Sequence, residues 1–187
     1  MIFFYCIISY IADKTFDAIP TSAVFYVFSF FTILEYTLFA LFLYLDLKEK
    51  TFRYVMLLGS LIFYSFAIYS LLHKNLVNFD SLPASVECIL LIIYSIFFLY
   101  EQMKDPSIFY IYYSKAFWII IAFFIYFSST LFLFIYAASL ANLERSNYWN
   151  INFIFNILKN IFFSISFVMK EGKKTQHPIE TLYPDLE

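Results

Sequence analysis

Three ionisable side chains stand inside long apolar runs, where a charge needs a reason. Glu35 lies in FTILEYTLF (31–39), Glu87 in ASVECILL (84–91) and Lys159 in WNINFIFNILKN (149–160). A lysine facing lipid at mid-membrane costs about 2.5–3.5 kcal/mol on the gentler insertion scale. Lys159 should therefore face protein and meet an acid, and Glu35, at a similar depth, is the expected partner. On a helix turning about 100° per residue, take Asn152 as zero. Asn156 then falls at about 40°, Lys159 at about −20°, Asn160 at about 80° and Ser166 at about −40°. Asn150 points elsewhere. The pattern predicts one polar stripe facing other helices, with Thr32 and Asn156 supplying hydrogen bonds to the pair. Glu87, near the outer end of its run, is expected to reach water or the Asn152 end of the stripe. Two kinds of chemistry suit such a set. It can be a structural ladder fixing which helices pack, with contacts averaging about 0.6 kcal/mol each. It can also be a polar pocket that binds a small ligand or passes protons, as intramembrane charges often mark. The candidate ligand-binding residues are Glu35, Glu87, Asn152, Asn156, Lys159 and Asn160.

Catalysis has little to stand on. The sequence holds no HExxH, GxSxG or glycine-rich phosphate loop. Its two histidines, His73 and His177, fall at a span end and in the tail, so no metal or haem site is expected. Cys6 and Cys88 have no metal-like spacing and read as inert small hydrophobes. In the run Ser128, Ser129 and Thr130, hydroxyls are expected to bond the preceding helical turn or a neighbouring helix. No catalytic residue and no cofactor is assigned. A net charge of −2 without a basic block gives no reason to expect nucleic acid.

The elements that must position these residues are transmembrane. Only 14% of the 187 residues are charged and 63% are hydrophobic, against about 25% charged in an ordinary soluble domain. The mean hydropathy is +0.76. Apolar runs cover about 21–45, 52–72, 84–100, 116–140 and 149–169. Each is long enough to cross about 30 Å of hydrocarbon at about 1.5 Å per residue. They do not alternate apolar and polar residues, which argues against a β-barrel. The fold class expected is an all-α polytopic transmembrane bundle of five to six helices. The segment before Ala12 reaches only about 18 Å as a helix. It reads as a short or tilted span, an interfacial helix, or a span cut by a late start, and about 2–19 is the sixth candidate. All five prolines lie between runs or in the tail, and glycine occurs only at Gly59 and Gly172. Broken helices and GxxxG packing are therefore not signalled, and serine, alanine and interlocking aromatics must pack the helices.

Orientation follows from the cations. Lys48, Lys50, Arg53, Lys104, Lys115, Lys170, Lys173 and Lys174 fall on one side, and Lys14, Lys74 and Arg145 on the other. The majority side, with the C-terminus, is expected in the cytoplasm of an inner-membrane protein. The tail 170–187 reads as a solvated end with a lysine anchor, with a docking peptide as the alternative. Tyr110, Tyr112 and Tyr113 at the inner interface, and Tyr148 and Trp149 at the outer, read as aromatic belts.

The segments FTILEYTLF (31–39), PASVECILLIIYSIFFLY (83–100), FWIIIAFFIYFSSTLFLF (117–134) and YWNINFIFNILKNI (148–161) resemble a group of small, Phe- and Tyr-rich polytopic membrane proteins of Bacteroidota. The resemblance runs over nearly the whole chain on scattered residues. It implies Glu35, Glu87, Trp149, Asn150, Asn156 and Asn160 as pattern positions. It also implies seven helices, one of them before residue 1, where this chain departs. Members often look like companions of signalling histidine kinases, but the resemblance assigns no activity. The lead expectation is a non-enzymatic sensory or regulatory membrane module, with membrane lipids and a signalling protein as partners. A small-molecule or proton-coupled transporter is the alternative, and a lipid-modifying enzyme the third.

Overall fold

Apolar runs this long can satisfy their backbone groups in lipid only by coiling into helices, and they do so. A computed structural model describes residues 2–18, 21–72, 82–104, 111–137 and 142–169. Among them are six α-helices and no strand: α1 (Ile2–Ala18), α2 (Thr21–Asp46), α3 (Lys50–Leu72), α4 (Leu82–Lys104), α5 (Lys115–Ala137) and α6 (Asn142–Val168). A single 3₁₀ turn, Ile111–Tyr113, precedes α5. Five helices are long and apolar enough to cross a membrane: Tyr26–Asp46, Lys50–Leu72, Leu82–Lys104, Lys115–Ile135 and Ile151–Val168. The protein is an all-α, multi-pass transmembrane bundle.

Some helices extend beyond their apolar runs. α4 continues through Glu101 to Lys104, and α6 begins at Asn142. Pro83 is accommodated in the first turn of α4, where its missing N–H has no helical partner to lose. α1 runs through Asp13, Lys14 and Asp17 as one helix. His73, His177, the tail, and the side chains of Trp149 and Asn150 lie outside the described residues.

α4 occupies the centre, packed against α2, α3 and α5, while α6 packs on α5 and α1 on α2. Lipid offers apolar side chains no hydrophobic drive to leave it, so helices associate through close packing and hydrogen bonds. Aromatic rings supply much of the packing. Tyr36 stacks on Phe63 with centroids 3.9 Å apart, Phe39 lies 4.0 Å from Phe123, and Phe52 stacks on Phe97 at 4.8 Å. Such pairs contribute about 0.5–1.5 kcal/mol each beyond area burial. Leu57, Leu58, Leu61 and Ile62 on α3, and Ile154, Ile157 and Ile161 on α6, are exposed and form lipid-facing surface. Gly59 has a specific task. The Tyr94 hydroxyl occupies the space a Cβ would need there, with Leu90 Cδ2 3.3 Å from the same point.

Polar contacts pin the bundle near the end carrying Lys48 and Lys104. The Glu101 carboxylate accepts from the backbone N–H groups of Lys48 (2.7 Å) and Glu49 (3.1 Å), tying α4 to the α2–α3 turn. Arg53 Nε donates to the Leu47 carbonyl at 2.6 Å. Trp118 Nε1 donates to the Tyr112 carbonyl at 2.8 Å, and Ser166 Oγ to the Lys115 carbonyl at 3.1 Å.

Candidate functional site

Each helix delivers its polar residue on an otherwise apolar buried stripe. On α2 the stripe runs through Thr32, Glu35, Tyr36, Phe39 and Leu43; on α6 it holds Lys159, Phe163 and Ser166. Helical spacing of three to four residues puts each set on one face. On α4 the stripe carries Ala84, Glu87, Cys88 and Leu91. Among the described side chains of α1, only Tyr5 is buried.

These stripes converge on one charged cluster. Lys159 is 1% exposed, Tyr5 2%, Glu35 6% and Glu87 3%. Lys159 Nζ donates to Tyr5 Oη at 2.7 Å, and Tyr5 Oη donates to Glu35 Oε1 at 2.7 Å. One phenol thus links an ammonium on α6 to a carboxylate on α2. The ammonium also lies 3.8 Å from the centroid of the Tyr126 ring and 4.8 Å from that of Tyr5. A desolvated cation–π contact contributes about 2 kcal/mol or more. Together with a charge-assisted hydrogen bond of about 1.5–3 kcal/mol, that offsets the insertion cost of a central lysine.

Glu87 joins the cluster from α4. Its carboxyl is within electrostatic reach of Glu35, and its Oε1 is buried with no hydrogen-bond partner among the described residues. The Glu101 anchor explains the shared depth. Glu35 lies thirteen residues before Lys48, and Glu87 fourteen before Glu101, so both sit about 20 Å from the same contact. Of the two surroundings expected for Glu87, water and the Asn152 end of the stripe, its burial does not fit water. The run 84–100 understates how far α4 continues beyond it, and Glu87 is correspondingly more central.

The asparagines divide. Asn152 and Asn156 are half-buried, and Asn152 Oδ1 is a second buried oxygen without a hydrogen-bond partner among the described residues. Asn160 is exposed. At about 80° from Asn152 it falls outside the arc that α6 turns toward its neighbours. Ser166 is buried but serves the α5–α6 contact at Lys115. Thr32, one turn from Glu35, lines a cavity of about 10 Å³ with Ser29 and Ser70, room for about one water. Ser129 bonds the Ile125 carbonyl at 2.8 Å, as expected for a helical serine.

Sequence reasoning missed Tyr5 and Tyr126. Tyrosines read as interfacial belts, and residues 1–12 read equally as a short or tilted span, an interfacial helix or a cut span, so neither residue was singled out. The available signal was position: both tyrosines sit within apolar stretches, several residues from any Lys or Arg.

A separate, uncharged cluster forms around Tyr36, where α2 meets α3 and α4. Tyr36 Oη is 2.9 Å from Ser60 Oγ and 3.2 Å from Tyr94 Oη, and Tyr94 donates to the Met56 carbonyl at 3.2 Å. Ser60 also donates to that carbonyl, at 2.8 Å. Among the described residues no group of three or more His, Cys, Asp and Glu side chains is arranged to hold a metal. Compared with protein-family models, curated proteins and solved structures, the chain matches none.

Proposed function

We propose that this chain is a non-enzymatic sensory or regulatory module of the cell inner membrane, whose input is read by the buried charged cluster. The observation that carries this reading is the Lys159–Tyr5–Glu35 chain of hydrogen bonds. It makes the seating of α1, a helix not among the five apolar spans, depend on the charges held by α2 and α6. A short element held by one polar side chain is a suitable two-state element, because a local electrostatic change at its anchor alters its docking. The excess of Lys and Arg on one side supports a cytoplasmic C-terminus, with the loops and tail available to a signalling protein. The kinase companionship implied by the family resemblance points the same way.

The second reading is a proton-coupled or small-molecule carrier. The buried Glu87 Oε1 beside Glu35 favours it, because a carboxyl oxygen without a donor is a natural binding position.

The test is purification from the native membrane in mild detergent, with mass spectrometry of everything retained, for wild type and Tyr5→Phe. The regulatory reading expects a stoichiometric signalling protein whose retention falls in Tyr5→Phe. A retained small molecule with no protein partner would move the assignment to the carrier. A reporter fused at the C-terminus is expected to be active only in its cytoplasmic form.

A further inference from the structure

Deepening the reading above by naming the input, we propose that the cluster is a proton-binding site, with a single exchangeable proton carried on the Glu87 carboxyl. The direction of the hydrogen bonds comes first. Lys159 has only donors to offer; it donates to Tyr5, and the Tyr5 proton then points at Glu35. The chain therefore ends on an acceptor, and Glu35 is the carboxylate that balances the Lys159 ammonium. Glu87 has no such partner. Its Oε1 receives no hydrogen bond from any described residue, although the side chain is almost fully buried. An ionised carboxylate removed from water without donors is strongly disfavoured and neutralises instead.

Among the described residues the surroundings supply no second compensating charge. Among the described residues the buried carboxyl and amine groups are Glu35, Glu87 and Lys159. α2 faces Glu87 with Glu35, and α4 itself adds Cys88. α5 presents Tyr126 and α6 presents Lys159. On α1, Tyr5 and Cys6 approach the lysine. The buried positions of α3 are Met56, Gly59, Phe63 and Ala67, none of them ionisable. With two buried carboxyls and one buried ammonium among the described residues, one carboxyl remains protonated. The occupancy is thus a count that mutation can change.

The experiment is infrared spectroscopy of the purified protein in H₂O and D₂O at neutral pH, where solvent-exposed carboxyls are ionised. The carbonyl stretch of a buried carboxylic acid then stands alone and shifts on deuteration. Wild type is expected to show one such group. Glu87→Gln removes it. Glu35→Gln also removes it, because Glu87 becomes the only counter-ion for Lys159. Lys159→Met raises the count to two. No band in wild type, or a band that survives in Glu87→Gln, overturns the proposal. Should Lys159→Met fail to fold, wild type and the two glutamine variants still decide. The count stands or falls independently of whether a signalling partner copurifies, so the two ideas fail separately.

Discussion

Glu35 and Tyr36 are sequence neighbours on α2, yet they serve polar clusters of different kinds. Tyr36 joins Ser60 and Tyr94 in a ring of neutral hydroxyls whose bonds end on the Met56 carbonyl of α3. Two of the three hydroxyls donate to that carbonyl, which leaves Tyr36 as the donor within the ring, and the hydroxyl of Tyr94 is seated over a glycine. Glu35 instead joins Tyr5, Lys159 and Glu87, where charge is carried and one carboxyl oxygen is left over. A step of about 100° between adjacent helical residues separates the two. Closed neutral networks fix geometry. An unbalanced charged one retains a state that can change.

Breaking one partner of each cluster measures the contrast. Lys159→Met should have the largest effect, about 3–5 kcal/mol, because Glu35 loses the ammonium that balances its charge and must take up a proton to stay buried. Thermal unfolding in detergent, followed by size-exclusion chromatography, reads it. Glu35→Gln with Lys159→Met should recover much of the loss, through a coupling of about 0.5–3 kcal/mol. Equal losses in single and double variants would show that the two charges do not compensate one another.

Gly59→Ala comes next, at about 1–3 kcal/mol, since the new methyl falls on the Tyr94 hydroxyl and overpacking costs that much. Adding Tyr94→Phe removes the obstructing oxygen and should restore most of the melting temperature. A double variant as weak as Gly59→Ala alone would place the clash elsewhere.

Tyr5→Phe keeps the ring and removes both hydrogen bonds, about 1–3 kcal/mol for a hydroxyl bonded to charged groups. The loss should concentrate in α1. Hydrogen exchange is expected to quicken over residues 2–18 more than in α4, whereas uniform acceleration would make Tyr5 an ordinary core residue. Asn160→Leu should be the mildest, within about 0.5 kcal/mol, as expected away from any packed or bonded feature. A large loss of yield would mean that this face of α6 is covered in the membrane.

Composition and run length were enough to read the helical, membrane-spanning class, because the backbone leaves so few options in lipid. Glu35, Glu87 and Lys159 were conspicuous for the same reason, being charges where hydrocarbon should be. Contacts between helices were not legible. Tyr5 lies in a short run that reads as a tilted span, an interfacial helix or a cut span alike, and nothing local marks it as the link between α2 and α6. Asn160 was grouped with Lys159 by angle alone, but angle does not say where the buried arc ends. The centrality of Glu87 depended on Glu101 gripping the α2–α3 turn, a contact made 53 positions away in the chain.

The Tyr5 link also has a history in time. Tyr5 and Glu35 are 30 positions apart, whereas Tyr5 and Lys159 are separated by 154. During synthesis the phenol and the first carboxyl can meet as soon as α2 enters the membrane, and Glu87 follows with α4. Lys159, the cation of the cluster among the described residues, arrives with α6. Until then neither buried acid has the Lys159 ammonium beside it and both stay protonated, so insertion of α6 is the step that lets Glu35 ionise and completes the cluster electrically as well as topologically.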